Sequence, residues 1–184
     1  MSLEANSVRA RSYGTLEIIL GGMFSGKTSE MIRRLKRFKA INESVLVINS
    51  AKDTRNPLEV LQTHDKVTFD CVKTDFLVDV SLTANVIAVD EAQFFKGLRP
   101  FVERSLASGK HVILAGLDGD YRQQVFGELL SLIPLADKVT KLTALCMVCL
   151  DGTVGPFTKR LSSDTCQELV GDACYQAVCR KHLF

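Results

Sequence analysis

Residues 16–28 read Leu-Glu-Ile-Ile-Leu-Gly-Gly-Met-Phe-Ser-Gly-Lys-Thr, and this stretch decides the fold. Leu16–Leu20 is an apolar run suited to a buried strand. Gly21 to Thr28 then fits the pattern GxxxxGK[ST] at every fixed position. From Thr28 to Ile41 the residues Met31, Ile32, Leu35 and Phe38 fall at the spacing of one helix face. A strand, a glycine loop and a helix in that order make a cradle for polyphosphate. Gly21 and Gly26 let backbone N–H groups approach the anion, and the helix N-terminus points at it. Gly22, Met23, Phe24 and Ser25 supply the rest of the wrapping backbone. Lys27 places a positive charge on the outer phosphates, and the Thr28 hydroxyl offers a ligand to Mg²⁺. A glycine turn that binds nothing is the alternative, and the Lys-Thr pair with both flanking elements weighs against it.

At 184 residues the chain suits one domain, or one domain with a small appendage. Its 46% hydrophobic and 24% charged residues place it among ordinary globular proteins. A net charge of +2 argues against a dedicated nucleic-acid binder, which needs a basic excess to neutralise a phosphate backbone. The densest basic run, Arg33 to Lys39, lies on the helix after the glycine loop and reads as a solvated face. Residues 1–14 are polar and lack the apolar middle of a signal peptide, so a disordered arm and a cytoplasmic location are expected. No apolar run approaches a membrane span. Six cysteines in such a chain point to thiols or metal rather than to a disulfide framework.

Further along, strands and helices alternate. Val45–Ile48 and Val86–Val89 are short apolar runs suited to strands buried on both faces. A helix is expected around Pro100–Ser108, closed by Gly109, followed by a strand over His111–Ala115. Ala51 to Phe69 is polar and aperiodic and reads as a long loop, a length that usually signals a lid or binding element. This order predicts an α/β fold with a three-layer parallel sheet of the P-loop NTPase type.

Asp90-Glu91 follows the Val86–Val89 strand. A carboxylate after four apolar residues sits at the carboxyl edge of the sheet, where Asp90 can orient Mg²⁺ or its waters. Asp90 could instead cap the next segment, but the glycine loop favours the metal. Glu91 is then placed to act as general base toward an attacking hydroxyl.

Near the C-terminus, Cys146-Met147-Val148-Cys149 and Cys179-Arg180-Lys181-His182 repeat one spacing. Together they form a Cys₃His set suited to a closed, tetrahedral, structural Zn²⁺ site. The 29 residues between Cys149 and Cys179 exceed finger spacing, so the site would close a long loop. Cys71, Cys166 and Cys174 lack such partners and read as plain thiols.

Four stretches carry a family resemblance: GGMFSGKTSEMIRRLKRF, VDEAQFF, LDGDYRQQVFGELLSLIPLADKVTKLTALC and the late TKRL. With the split metal pairs, they make the chain similar to the type II thymidine kinases from Leu16 to Phe184. The resemblance implies transfer of the γ-phosphoryl group of ATP to the 5′-hydroxyl of thymidine with Mg²⁺. Glu91, Lys27 and Arg160 would be catalytic, Arg160 by steadying phosphate charge. Asp53, Arg55, Asp90 and Gln93 would join residues 21–28 around ATP and its metal. Met23, Phe94, Leu117, Tyr121, Phe126 and Tyr175 would line the nucleoside pocket. Backbone groups of Glu168, Leu169, Val170 and Gly171, in a segment called the lasso in this family, would hydrogen-bond the base. Read singly, each of those aromatics is as well explained as core.

The implied organisation is an arm over 1–14, an ATP-binding domain over 15–143, and a zinc-and-lasso domain over 144–184. The resemblance also implies a homotetramer, feedback inhibition by dTTP, deoxyuridine as second substrate, and neither nucleic acid nor membrane as partner. His182 stands where many relatives have cysteine, and Tyr121 where phenylalanine is commoner, which adds a hydroxyl that needs a partner. Two other classes fit parts of the pattern. One is a P-loop ATPase in which Glu91 activates water, and the other is a zinc-bearing nucleic-acid module.

Overall fold

A computed structural model describes residues 13–53, 60–62, 67–169, 171 and 173–184. Arg55, Val170 and most of the expected N-terminal arm lie outside these residues. In chain order the elements are β1 (Thr15–Leu20), α1 (Lys27–Lys39), β2 (Val45–Ser50), β3 (Val60–Gln62), β4 (Thr68–Asp70), β5 (Val72–Thr74) and β6 (Val86–Val89). They continue with α2 (Leu98–Ala107), β7 (His111–Gly116), β8 (Lys138–Lys141), β9 (Ala144–Leu145), β10 (Val154–Gly155), β11 (Phe157–Arg160) and β12 (Tyr175–Val178).

Six strands pair in parallel in the order β5-β2-β6-β7-β1-β8. Alternate residues of the central strands serve opposite faces. Leu16, Ile18, Leu20, Ile87, Val89, Val112 and Leu114 meet Leu98, Phe101 and Val102 of α2. Ile19, Val47, Ala88, Ile113 and Ala115 meet Met31, Ile32 and Leu35 of α1. The layers are therefore helix, sheet, helix, as expected from the alternating pattern.

Two details depart from the sequence reading. Both helices begin earlier, α1 at Lys27 and α2 at Leu98, each after a left-handed glycine, Gly26 and Gly97. The segment expected to be irregular, 51–69, contains β3 and the start of β4, which pair antiparallel. Strands of three residues are too short to show a period, and Leu61 is the one residue of β3 that is fully buried.

Charges inside the structure are paired. Arg34 donates from Nε to Glu30 at 2.8 Å, from Nη2 to Thr140 at 3.0 Å, and from Nη1 to Glu17, which ties α1 to β1 and edge strand β8. His111 Nε2 lies 3.2 Å from Glu17 Oε1, at ion-pair distance but off the line of a good hydrogen bond. The His111 contact, with the Arg34 guanidinium and against the effect of burial, holds the Glu17 carboxyl down at about 2. Among the described residues no helix is long and apolar enough to cross a membrane.

After the sheet, two small antiparallel ribbons, β9–β10 and β11–β12, follow within residues 144–178. Their shared core is Cys146, Val178 and Leu183.

Candidate active site

Four parallel strands end at one edge of the sheet, and each end leads into a segment rich in polar groups. β1 runs into the glycine loop, β2 into Asp53, β6 into Asp90-Glu91, and β7 into Leu117 to Tyr121. Ligands of open α/β sheets bind at this edge, because helix N-termini and loop amides gather there.

The glycine loop has the conformation its sequence demands. Gly21 has φ +157°, and a Cβ there would fall 2.4 Å from the Leu142 carbonyl oxygen. Gly26 has φ +80° with open space around it, so its requirement is conformational rather than steric. No side chain caps α1, and the N-terminus of a helix is where its amides and dipole favour an anion. Lys27 is buried, and its ammonium donates to the Gly22 carbonyl at 2.7 Å. Ser25 Oγ donates to the same oxygen at 2.8 Å, closing the loop on itself.

Thr28 Oγ1 donates to Asp90 Oδ2 at 2.9 Å. The hydroxyl and carboxylate expected to share a metal are thus in direct contact. The backbone N–H of Asp90 bonds to the Ile48 carbonyl at 2.9 Å, which fixes the residue to the sheet. Glu91 follows with φ +50° and ψ +41°, a left-handed conformation that costs energy in a non-glycine residue. The turn lifts its side chain out of the strand direction and into the cavity it lines. Gln93 bridges the arrangement: its amide nitrogen donates to Glu91 Oε2 at 2.7 Å, and its oxygen accepts the Leu117 N–H at 3.0 Å.

One cavity runs from the glycine loop to the lasso. Of the residues singled out in the sequence, it is lined by Met23, Phe24, Gly26, Lys27, Thr28, Asp53, Glu91, Gln93, Phe94, Leu117, Tyr121, Phe126, Arg160, Glu168, Leu169, Gly171 and Tyr175. Gly21, Gly22, Ser25 and Asp90 are not in its lining. Phe94 and Phe126 meet edge to face, with ring centres 5.5 Å apart, and form an aromatic wall suited to a flat ring. Asp53 is buried, takes a hydrogen bond from Asn49 Nδ2 at 3.0 Å, and lines the cavity. The added hydroxyl of Tyr121 finds its partner in the Thr165 carbonyl at 3.2 Å.

Three contributors escaped the sequence reading. Thr158 Oγ1 accepts the Met23 N–H at 2.9 Å, so the C-terminal unit touches the glycine loop directly. Asp120 accepts the Arg122 and Gln124 amides at 2.8 and 2.9 Å and the Gln167 side chain at 2.8 Å, which joins the turn after β7 to the lasso. Lys52 pairs with Glu168 at 2.7 Å across the mouth. Asp120 lies inside the quoted LDGDYRQ run, but only the fold shows what it faces.

The two metal pairs converge. Ligand atoms of Cys146, Cys149, Cys179 and His182 all lie within 4.8 Å of one another. Cys149 and Cys179 sulfurs are 3.8 Å apart, and a tetrahedron with Zn–S of about 2.3 Å has an edge of about 3.8 Å. His182 Nδ1 lies 3.7, 3.4 and 3.4 Å from the three sulfurs. Burial opposes ionisation of Cys146, yet backbone hydrogen bonds and His182 pull its thiol down to about 5. Burial and the neighbouring thiols push Cys149 up to about 11. Crowded sulfurs of this kind suit a divalent cation, and the donor set fits zinc.

A family model described as thymidine kinase matches residues 14–183. The cytosolic thymidine kinase of Cricetulus griseus is 43% identical over 175 residues, covering 93% of this chain and 74% of that protein. Thymidine kinase a of Arabidopsis thaliana is 42% identical over 187 residues, covering 96% and 78%. The thymidine kinase of Vaccinia virus (strain Ankara) is 42% identical over 172 residues, covering 91% and 96%. With a family match across nearly its full length and the glycine loop, Asp90-Glu91 and the Cys₃His cluster in place, the chain belongs to the thymidine kinase family.

Proposed function

We propose that the protein is a thymidine kinase that transfers the γ-phosphoryl group of ATP to the 5′-hydroxyl of thymidine. The observation that carries this reading is Glu91: a strained carboxylate, held by Gln93, that opens into the same cavity as Lys27 and the Phe94–Phe126 wall. The glycine loop holds the triphosphate, and Lys27 neutralises its outer oxygens. Thr28 and Asp90 would hold Mg²⁺, which would offset charge on the phosphate oxygens. Glu91 accepts the proton as the 5′-oxygen bonds to the γ-phosphorus and the bond to the β-phosphate oxygen breaks, releasing ADP and thymidine monophosphate. Met23 and Leu117 flank the 5-methyl of the base, and lasso backbone from Glu168 to Gly171 reads its polar edge. Asp53 and Arg55 act on the phosphate side. Cys146, Cys149, Cys179 and His182 would hold Zn²⁺ and so close the loop that carries the lasso.

Deoxyuridine, which lacks only the methyl group, is the second substrate, since one methyl is worth little discrimination. Thymidine triphosphate inhibits by placing its base in the nucleoside pocket and its phosphates on the glycine loop. The active species is a homotetramer, and it works in the cytoplasm, the latter in line with relatives named cytosolic. Residues 15–143 and 144–184 act as the ATP-binding and the zinc-and-lasso domains.

The test is ADP release from ATP and Mg²⁺ by wild type and Glu91→Gln, with thymidine, deoxycytidine, uridine or no acceptor. Turnover that requires thymidine and collapses in the variant supports the reading. Equal turnover without any acceptor would make the protein an ATPase and sink it.

A further inference from the structure

A guanidinium carries five N–H donors, and at Arg160 all five are directed at the protein. Nε donates to Tyr175 Oη at 3.2 Å, and Nη2 donates to the same oxygen at 2.5 Å and to the Gln167 carbonyl at 3.1 Å. Nη1 donates to the Asp164 carbonyl at 3.2 Å and to the Cys166 carbonyl. Tyr175 Oη, having accepted two bonds, donates its own proton to the Leu169 carbonyl at 2.9 Å. Arg160 is buried, and its guanidinium carbon lies 3.8 Å from the centre of the Tyr121 ring, so one face of the group is covered. Tyr121 Oη and Arg122 Nη2 together hold the Thr165 carbonyl from the other side, at 3.2 and 2.9 Å.

We infer that Arg160 is a positioning residue that, through Tyr175, shapes the lasso before a nucleoside arrives, rather than a group that touches the transferred phosphoryl. This rests on the kinase reading for its substrate, but its geometry does not. The carbonyls of residues 164, 166, 167 and 169 are gathered onto one Arg–Tyr unit. Because a trans peptide sets C=O and N–H in opposite directions, the amides of Gln167 and Glu168 point away from the guanidinium. Main-chain recognition of a base depends on peptide planes set in this way, since no side chain can correct a rotated amide. To reach a phosphate, the guanidinium would have to release at least one of the bonds by which it holds Tyr175 and the carbonyls of 164, 166 and 167. A lysine, with three donors and no plane, cannot reproduce the fork.

The experiment compares wild type, Arg160→Lys and Tyr175→Phe in two readouts. The first is steady-state KM and kcat for thymidine and ATP. The second is hydrogen exchange of the amides of 161–171 in nucleoside-free enzyme. Expected are faster lasso exchange in both variants and a thymidine KM raised roughly 10- to 100-fold, with the KM for ATP unchanged and kcat reduced much less. Tyr175→Phe should move in the same direction by a smaller factor, and it carries the test if Arg160→Lys fails to fold. A large loss of kcat with thymidine KM and lasso exchange unchanged would overturn the inference and return Arg160 to the phosphates. Failure of wild type to phosphorylate thymidine would remove the kinase reading instead, while the exchange measurement would still decide whether Arg160 orders the lasso.

Discussion

The two halves of the cavity are held together by different forces. The glycine loop, Asp90 and Glu91 rest on a sheet with sixteen buried apolar residues against one face and eleven against the other among the described residues. The segment that closes over them rests on a core of three, two of which are Val178 and Leu183 and the third a candidate metal ligand, Cys146. Hydrophobic burial suffices for the first half. The second has a Cys₃His cluster that could hold a metal and a buried arginine that gathers backbone carbonyls. Polar devices of this kind are directional, so they fix backbone orientation where apolar contact would fix only proximity. The glycine-loop half is thus held by packing, and the half over it by hydrogen bonds and a Cys₃His cluster.

Changes confined to the chemical half should leave the fold intact. Glu91→Gln should lower kcat roughly 10²- to 10⁴-fold with little change in thymidine KM, measured by coupled ADP release, and its melting temperature should not fall. A melting temperature that drops with kcat would show that the strained turn is structural instead.

Metal removal should separate the halves. Chelation, or Cys179→Ser, should raise thymidine KM at least tenfold by order of magnitude and leave the sheet's far-ultraviolet dichroism largely in place. Global unfolding on chelation would mean that the sheet depends on the C-terminal unit.

A core substitution should do the opposite. Leu114, fully buried on β7, should cost about 2–5 kcal/mol when changed to alanine, read by denaturant unfolding, with KM and kcat of the folded fraction unchanged.

Glu17 predicts a pH dependence that belongs to the sheet. Its folded carboxyl titrates at about 2 against an ordinary 4.5. The stabilisation is therefore fully present above 4.5 and is lost as the pH falls toward 2. Glu17→Gln should flatten the acid limb of stability against pH, and an unchanged limb would place the acid sensitivity elsewhere.

The smallest effect is expected at Lys52–Glu168, an exposed pair with 41% and 44% of the two side chains open to solvent. Lys52→Met should change thymidine KM by no more than about threefold, and the difference should fade in high salt.

The match between sequence and structure is uneven for the same reason. β1, β6 and β7 were legible because strands buried on both faces are mostly apolar, with Glu17 and His111 as the paired exceptions. Asp90-Glu91 stood out because two acids directly after such a run have no packing role. β3 and β4 were not legible, since three residues cannot display a period. Thr158, Asp120 and Gln167 were passed over because a threonine, an aspartate or a glutamine carries no local sign of what it faces. Arg160 could be seen, but its orientation could not.

By itself the sequence determined the parallel α/β architecture, the glycine loop and the two Cys/His pairs that could hold a metal, because each depends on residue type at fixed spacing within short segments. Tertiary structure alone decided which polar groups meet across the cavity. Thr158 under Met23, Gln93 between Glu91 and Leu117, and Arg160 within the lasso join segments 135, 24 and up to 7 residues apart. Even the shortest of these separations depends on β11 and β12 pairing so that Tyr175 lies opposite Arg160. Hydrogen bonds and ion pairs act within a few ångströms of space, and only the folded chain sets that distance.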